Sequence, residues 1–91
     1  MPTATSASGY GSAMAQAHLE VLVEPFREND PGPHVAAVVD VATSAGLDPD
    51  MGPFATTMDG EIDTLAAAVA DMIRAGFAHG ASALQIRLDA S

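Results

Sequence analysis

The sequence predicts an α+β domain of the ferredoxin-like type, with the order strand, helix, strand, strand, helix, strand. Such a domain has a four-stranded antiparallel sheet with two helices on one face. Three observations indicate it. Apolar and polar residues alternate over 18–24 and 83–89, as they do in strands with one wet face. Two segments between them carry apolar residues at helical spacing. Clusters of Gly, Pro and Asp separate the segments as turns do.

The first half of the chain predicts a tail, a strand and a helix. Residues 1–16 are rich in Ser, Ala, Gly and Thr and lack an apolar period, which predicts a disordered N-terminal tail before a folded domain over 17–91. The first strand runs from His18 and ends at Pro25. A turn-rich stretch, 27–33, precedes a helix that has Pro33 in its first turn and Gly46 as its C-terminal stop. The apolar positions of this helix are Val35, Val38, Val39 and Ala42.

The second half predicts two strands, a helix and a last strand. Residues 47–50 and 54–58 flank Gly52 and Pro53, which indicates a hairpin or a bent strand pair. The second helix has an apolar stripe and ends at Gly76 or Gly80. The stripe comprises Ile62, Leu65, Ala66, Val69, Met72 and Ile73, and the acids placed near the positive N-terminal end of the helix are Asp59, Glu61 and Asp63.

Alternation along the outer segments also predicts which side chains share a face of the sheet. The residues expected to face the helices are Leu19, Val21, Val23, Leu84, Ile86 and Leu88. The residues expected on the opposite face are His18, Glu20, Leu22, Glu24, Gln85 and Arg87. On that face Arg87 is expected to pair with Glu20 or Glu24.

Composition excludes several classes of partner. The 91 residues carry a formal net charge of −9, with three arginines and no lysine. This acidity disfavours nucleic acid, anionic membranes and phosphorylated metabolites, and favours cations and neutral amines, although it equally fits a role in solubility alone. No cysteine, membrane-spanning stretch or secretory signal occurs, which predicts a cytoplasmic protein. A short chain with 48% hydrophobic residues favours a homo-oligomer.

The sequence carries no pattern typical of catalysis. Neither a nucleophile elbow nor a phosphate-binding loop occurs. The three histidines, His18, His34 and His79, lack metal-ligand spacing and are predicted to be structural. Paired acids occur at Asp48 and Asp50, at Glu20 and Glu24, and at Asp59 and Glu61, and such pairs are more often solvated charge than catalytic groups. We therefore expect no enzyme, no catalytic residue, no metal and no cofactor.

The segment GPFATTMDG, residues 52–60, resembles a stretch of the form G-P-x-G-T-x-x-E-G in the small thiamine-binding protein family. Its matching positions are Gly52, Pro53, Thr56 and Gly60, while Ala55 replaces the usual glycine and Asp59 the usual glutamate. The resemblance extends over residues 18–90 through VLVEPF, PHV, SAGL and LQIRLD, which occur in the family's order.

The resemblance implies a ferredoxin-like fold, assembly through the sheets into homodimers or homotetramers, and binding of thiamine or its hydroxymethylpyrimidine part. Such a ligand calls for a carboxylate, a hydroxyl and an aromatic wall. Residues of those types are Asp59, Thr56 and Phe54, with Glu20 and Glu24 adding negative potential, and Thr56 and Phe54 are expected on one side of one strand. The sequence thus predicts a non-catalytic carrier, buffer or sensor. The alternative is a structural or regulatory oligomerisation domain without a ligand.

Overall fold

The computed structural model describes residues 15–27 and 32–91. Their elements are β1 (Gln16–Glu24), α1 (Gly32–Ser44), β2 (Asp50–Met51), β3 (Thr56–Glu61), α2 (Ile62–Ala78) and β4 (Ala83–Ala90). This order, with its antiparallel sheet, confirms the predicted ferredoxin-like fold. Most of the predicted tail lies outside the described residues. The first strand begins at Gln16, one residue before the predicted start of the domain.

The sheet has the strand order β2-β3-β1-β4, so β1 lies between β3 and β4. All its strand pairs are antiparallel. The register sets Glu20 opposite Thr57 on one side and Arg87 on the other. Directly opposite residues point to the same face, so these three side chains share a face. Their sequence neighbours point to the other face, towards the helices.

The core lies between that helix-facing side of the sheet and the two helices. β1 alternates as its sequence predicts, because every second residue from Ala17 to Val23 is buried. The other buried apolar residues are Val35, Val38, Ala42, Met58, Leu65, Ala68 and Met72. Within residues 15–27 and 32–91 no helix covers the opposite face of the sheet, which is called here the open face.

The segment from Asp50 to Thr57 forms a tight β-hairpin. Met51 pairs with Thr56, and the Gly52 amide donates a hydrogen bond of 2.9 Å to the Ala55 carbonyl. Pro53 and Phe54 are therefore the two residues of the turn. A Cβ on Gly52 would lie 3.2 Å from the Ala55 carbonyl oxygen, so this close approach favours glycine. Of the two arrangements expected, the hairpin is the one observed, but both predicted strands are displaced: β2 is Asp50–Met51 and not 47–50, while Phe54 lies in the turn and β3 begins at Thr56.

The ends of both helices agree with the sequence prediction. Helix α1 stops at Ser44, and Gly46 follows with a φ of 81°, as a C-terminal glycine does. Helix α2 runs through Gly76 to Ala78, and Gly80 follows the C-cap residue His79 with a φ of 103°, so Gly80 is the terminating glycine of the two that the sequence offered. Gly76 is buried within α2. A Cβ at this position would lie 3.2 Å from Leu84 and 3.3 Å from Val38, so the glycine allows these side chains to pack closely against the helix.

Of the three acids predicted near the N-terminal end of α2, Glu61 and Asp63 lie there and Asp59 does not. Strand β3 extends to Glu61, which is the N-cap of α2, and Asp63 is the acid in the first helical turn. Asp59 lies on the strand, paired with His18. Its carboxylate is therefore a side chain of the open face and not a helix-terminal charge.

Strand β4 places its apolar residues as predicted but leaves two of them exposed. Leu84, Ile86 and Leu88 pair with Val23, Val21 and Leu19 and so point to the helix-facing side. Ile86 is 38% and Leu88 45% exposed, because β4 is an edge strand with no further strand beyond it in the described sheet.

Candidate functional site

The open face of the sheet carries most of its charge as carboxylates. Register and strand alternation place the following charged residues there: Glu20 and Glu24 from β1, Asp50 from β2, Asp59 and Glu61 from β3, and Arg87 and Asp89 from β4. Among the described residues of this face, Arg87 is the only arginine. The local potential is therefore negative and attracts cations.

A cavity of about 400 Å³ lies at one end of this face, beside the turn of the β2–β3 hairpin. Its lining residues are Glu20, Leu22, Phe54, Ala55, Gln85, Ile86 and Arg87. The volume falls in the range of about 300–1,000 Å³ that small-molecule sites occupy. Phe54, at the turn, is 74% exposed and offers its ring to the cavity. The cavity thus combines an aromatic ring, an aliphatic floor and one charge of each sign.

Two predicted site residues, Glu20 and Phe54, line this cavity together. They are distant in the chain. They come together because β3 pairs with β1, which places the β2–β3 turn with Phe54 close to the part of β1 that contains Glu20. Glu20 makes no hydrogen bond or ion pair with another described side chain. Glu20 is exposed and borders the cavity.

Glu24 and Asp59 lie on the same face, outside the cavity lining, and each is already bonded. The Gln85 Nε2 donates to Glu24 Oε2 at 2.8 Å. The His18 Nδ1 donates to Asp59 Oδ1 at 2.8 Å. These contacts join neighbouring strands across the open face, so both carboxylates contribute negative potential without lining the cavity.

Thr56 occupies a different position from the one predicted. Its side chain is buried, with 4% exposure, and lies opposite Val21 on the helix-facing side. Phe54 and Thr56 do not share a strand face, because the chain turns at Phe54 and only Thr56 belongs to β3. Thr57 is the threonine of the open face, directly opposite Glu20. Which of the two threonines faces the open side depends on the strand register, which the local sequence pattern does not give.

Arg87 and Gln85 are cavity residues that the sequence reasoning did not select as a site. Alternation along the last strand predicted that they face away from the helices. Only the pairing of β4 with β1 shows that Arg87 lies opposite Glu20 and Gln85 opposite Leu22. The predicted partner of Arg87 was Glu20 or Glu24. Instead the Arg87 Nε donates to Asp89 Oδ2 at 3.0 Å.

The histidines take part in local bonding. His79 Nδ1 donates to the Ala75 carbonyl at 2.8 Å, and His34 Nε2 donates to the Pro25 carbonyl. Within 15–27 and 32–91, no three His, Asp or Glu side chains form a group that could hold a metal ion. No helix in the same ranges has the length and apolarity to cross a membrane.

A second cavity, of about 360 Å³, lies on the helical side of the molecule. Its lining residues are Asp40, Val41, Ser44, Ala45 and Asp71. It contains none of the predicted site residues, and Asp71 is already paired with Arg74 at 3.1 Å. The cavity on the open face is therefore the candidate site.

The described residues thus form a ferredoxin-like domain with a cavity on its acidic open face. The family model described as thiamine-binding protein matches residues 19–91. The chain therefore belongs to the thiamine-binding protein family, which confirms the resemblance seen in the sequence. No curated protein matches the chain.

Several solved structures share the fold. A domain of unknown function, DUF77, from Bacillus cereus is 25% identical, with a TM-score of 0.64 over 87% of this chain and 78% of that one. A Thermotoga maritima protein, called a "putative thiamine biosynthesis/salvage protein", is 22% identical, with a TM-score of 0.64 over 81% and 82% of the two chains. A Streptococcus pneumoniae protein is 17% identical, with a TM-score of 0.63 over 84% of each chain.

Proposed function

We propose that this protein binds thiamine, or its hydroxymethylpyrimidine part, in the cavity of the open face and does so without catalysis, as a carrier, buffer or sensor in the cytoplasm. The observation that carries the proposal is the meeting of Glu20 and Phe54 in one cavity on an acidic sheet face. The family's description as thiamine-binding supports the ligand and the binding role. The name of the Thermotoga maritima protein points to the same metabolite.

The chemistry of the cavity suits this ligand. Thiamine has an aminopyrimidine, with an amino donor and ring-nitrogen acceptors, and a positively charged thiazolium. The Glu20 carboxylate accepts from the amino group, while the Phe54 ring stacks on the cationic ring. Leu22 and Ala55 supply apolar contact for the remaining ring surface. The diphosphate ester binds more weakly, because the surrounding carboxylates repel its charge.

Calorimetry with thiamine, hydroxymethylpyrimidine and thiamine diphosphate tests the proposal. Thiamine is expected to give the strongest binding, and the diphosphate the weakest. The same ligands should raise the melting temperature in that order, because a ligand that binds only the folded state stabilises it. If none of the three compounds releases or absorbs heat on titration or shifts the melting temperature, the proposal is wrong. A changed product detected by mass spectrometry would contradict the non-catalytic part.

The two adjacent threonines are expected to differ in their effect on binding. Thr57→Val removes a hydroxyl directly opposite Glu20, outside the cavity lining, and is expected to weaken thiamine binding by no more than about threefold, through the position of the Glu20 side chain. Thr56→Val is the matched control, since this side chain lies on the buried, helix-facing side. Calorimetry on both variants measures the difference. Stronger weakening by Thr56→Val would contradict this assignment of faces.

A homodimer or homotetramer is the second part of the proposal. The edge strand β4 exposes Ile86 and Leu88 on its helix-facing side, and unpaired edges of this kind favour strand pairing with another chain. A second copy is a suitable partner, because antiparallel pairing of one strand with itself satisfies twofold symmetry. In the alternative function, a structural or regulatory domain, this assembly would occur without any ligand.

Leu88→Lys is expected to shift the oligomer towards monomer, because it places a charge on the exposed edge of β4. Light scattering at micromolar concentration measures the change. Met51→Lys is the matched control: Met51 is 47% exposed, close to the 45% of Leu88, but belongs to the strand at the other edge of the sheet. A wild-type monomer at this concentration would count against assembly, and an equal effect of both lysines would count against β4 as the interface.

A further inference from the structure

The guanidinium of Arg87 lies between two carboxylates of the open face. Glu20 is directly opposite Arg87 on the neighbouring strand β1. Asp89 lies two residues further along β4, so its side chain points to the same face. The Arg87 Nε donates to Asp89 Oδ2 at 3.0 Å, and no bond joins Arg87 to Glu20. Both Arg87 and Glu20 line the cavity, whereas Asp89 does not.

The Cβ atom of Glu20 is expected to lie closer to the Cβ atom of Arg87 than the Cβ atom of Asp89 does, because Glu20 is directly opposite Arg87 on the neighbouring strand. Directly opposite side chains have Cβ atoms about 4.5–5.5 Å apart, well within reach of an arginine. An ion pair between them would neutralise Glu20 and occupy its oxygens. In the structure the guanidinium is bonded to Asp89 and not to Glu20, so the cavity presents the Glu20 carboxylate without that ion pair.

We propose that Asp89 is a positioning residue that holds Arg87 away from Glu20 and so keeps the Glu20 carboxylate free for a cationic ligand. This inference rests on the proposed function as far as the ligand is concerned. It adds a means of selectivity: Asp89 favours the positively charged thiamine over the neutral hydroxymethylpyrimidine. The effect is modest, because the side chains of Arg87 and Asp89 are 73% and 49% exposed and solvent screens exposed ion pairs.

A double-mutant cycle tests the role of Asp89 by calorimetry. Asp89→Asn is expected to weaken thiamine binding by about twofold to fivefold, with a smaller change for hydroxymethylpyrimidine. In the Arg87→Gln background the same Asp89→Asn change is expected to have no effect, because no guanidinium is left to reach Glu20. Equal weakening by Asp89→Asn in both backgrounds would show a direct charge effect and overturn the proposal.

Asp50→Asn is the matched control for lost negative charge. Asp50 lies on the same open face, opposite Thr57, but on β2, two strands away from Glu20 and three from Arg87. It is expected to leave thiamine affinity within about twofold of the wild type. A loss as large as that of Asp89→Asn would overturn the positioning role, since the net charge of the face would then be sufficient to explain both variants.

A measurement without ligand separates this inference from the proposed function. Nuclear Overhauser contacts of the Arg87 Nε–H are expected to reach the Asp89 side chain in the wild type and the Glu20 side chain in Asp89→Asn. If Arg87 does not approach Glu20 in that variant, the inference is wrong, whether or not thiamine binds. If the contacts change as expected but the wild type binds no thiamine, the proposed function fails and the positioning role of Asp89 stands.

Discussion

Glu20→Gln is expected to weaken thiamine binding by roughly tenfold or more. Glu20 is exposed and lines the cavity, so the ligand's amino group and cationic ring meet its negative charge. A hydrogen bond to a charged group contributes about 1.5–3 kcal/mol, which corresponds to at least tenfold in affinity. Isothermal titration calorimetry at low ionic strength measures the loss directly, and added salt should reduce the difference between variant and wild type.

Glu24→Gln is the matched control for this prediction. It makes the same chemical change on the same strand and the same face, but Glu24 lies outside the cavity lining and is already bonded by Gln85. We expect a weakening of less than about threefold, from the lower negative potential alone. Equal losses in the two variants would mean that the general field of the face, and not a contact with Glu20, governs binding. Full affinity in Glu20→Gln would place the ligand elsewhere.

Leu65→Ala is expected to lower the free energy of unfolding by about 3 kcal/mol, within the range of about 2–5 kcal/mol for a leucine truncated in a packed core. Leu65 is fully buried, at 0% exposure, where α2 packs on the sheet. The removed atoms lose apolar burial and leave a cavity that the sheet and helices cannot fill by collapse. Urea denaturation monitored by circular dichroism, at one fixed protein concentration, measures the change.

Ile73→Ala is the control on the same helix. Ile73 is 41% exposed, so its truncation removes less buried surface and is expected to cost less than about 1 kcal/mol in the free energy of unfolding. The ratio between the two variants is the decisive quantity. If Ile73→Ala destabilised the protein as much as Leu65→Ala, the exposed side of α2 would itself be buried in an assembly.

Local pattern in the chain predicted the elements that repeat a simple period. The alternation around Leu19 and the apolar stripe through Leu65 identified β1 and α2, because solvent on one side and core on the other impose periods of two and of 3.6 residues. Gly46 marked the end of α1 for an equally local reason, its positive φ. The exact position of the hairpin turn could not be predicted, because β2 has only two residues and two residues are too few to show an alternation of apolar and polar side chains.

The candidate site was predictable in its residue types and only partly in its membership. Glu20 and Phe54 were both selected from the sequence, through the acidic strand and the resemblance around residues 52–60, and the structure brings them into one cavity. Thr56 was selected for its hydroxyl group, but its side chain points into the core. Gln85 and Arg87 were missed because nothing local distinguishes them from other exposed residues of an edge strand.

The sequence by itself determined the fold class, the family and the acidic character of the open face, because these depend on periodicity, on motif order and on composition. Tertiary structure alone decided which residues share a cavity. A one-residue change of register reverses every side chain of a strand, and the register of β3 and β4 against β1 arises from hydrogen bonds between distant segments. That pairing puts Thr57 and Arg87 on either side of Glu20 and leaves Asp89 to hold the guanidinium.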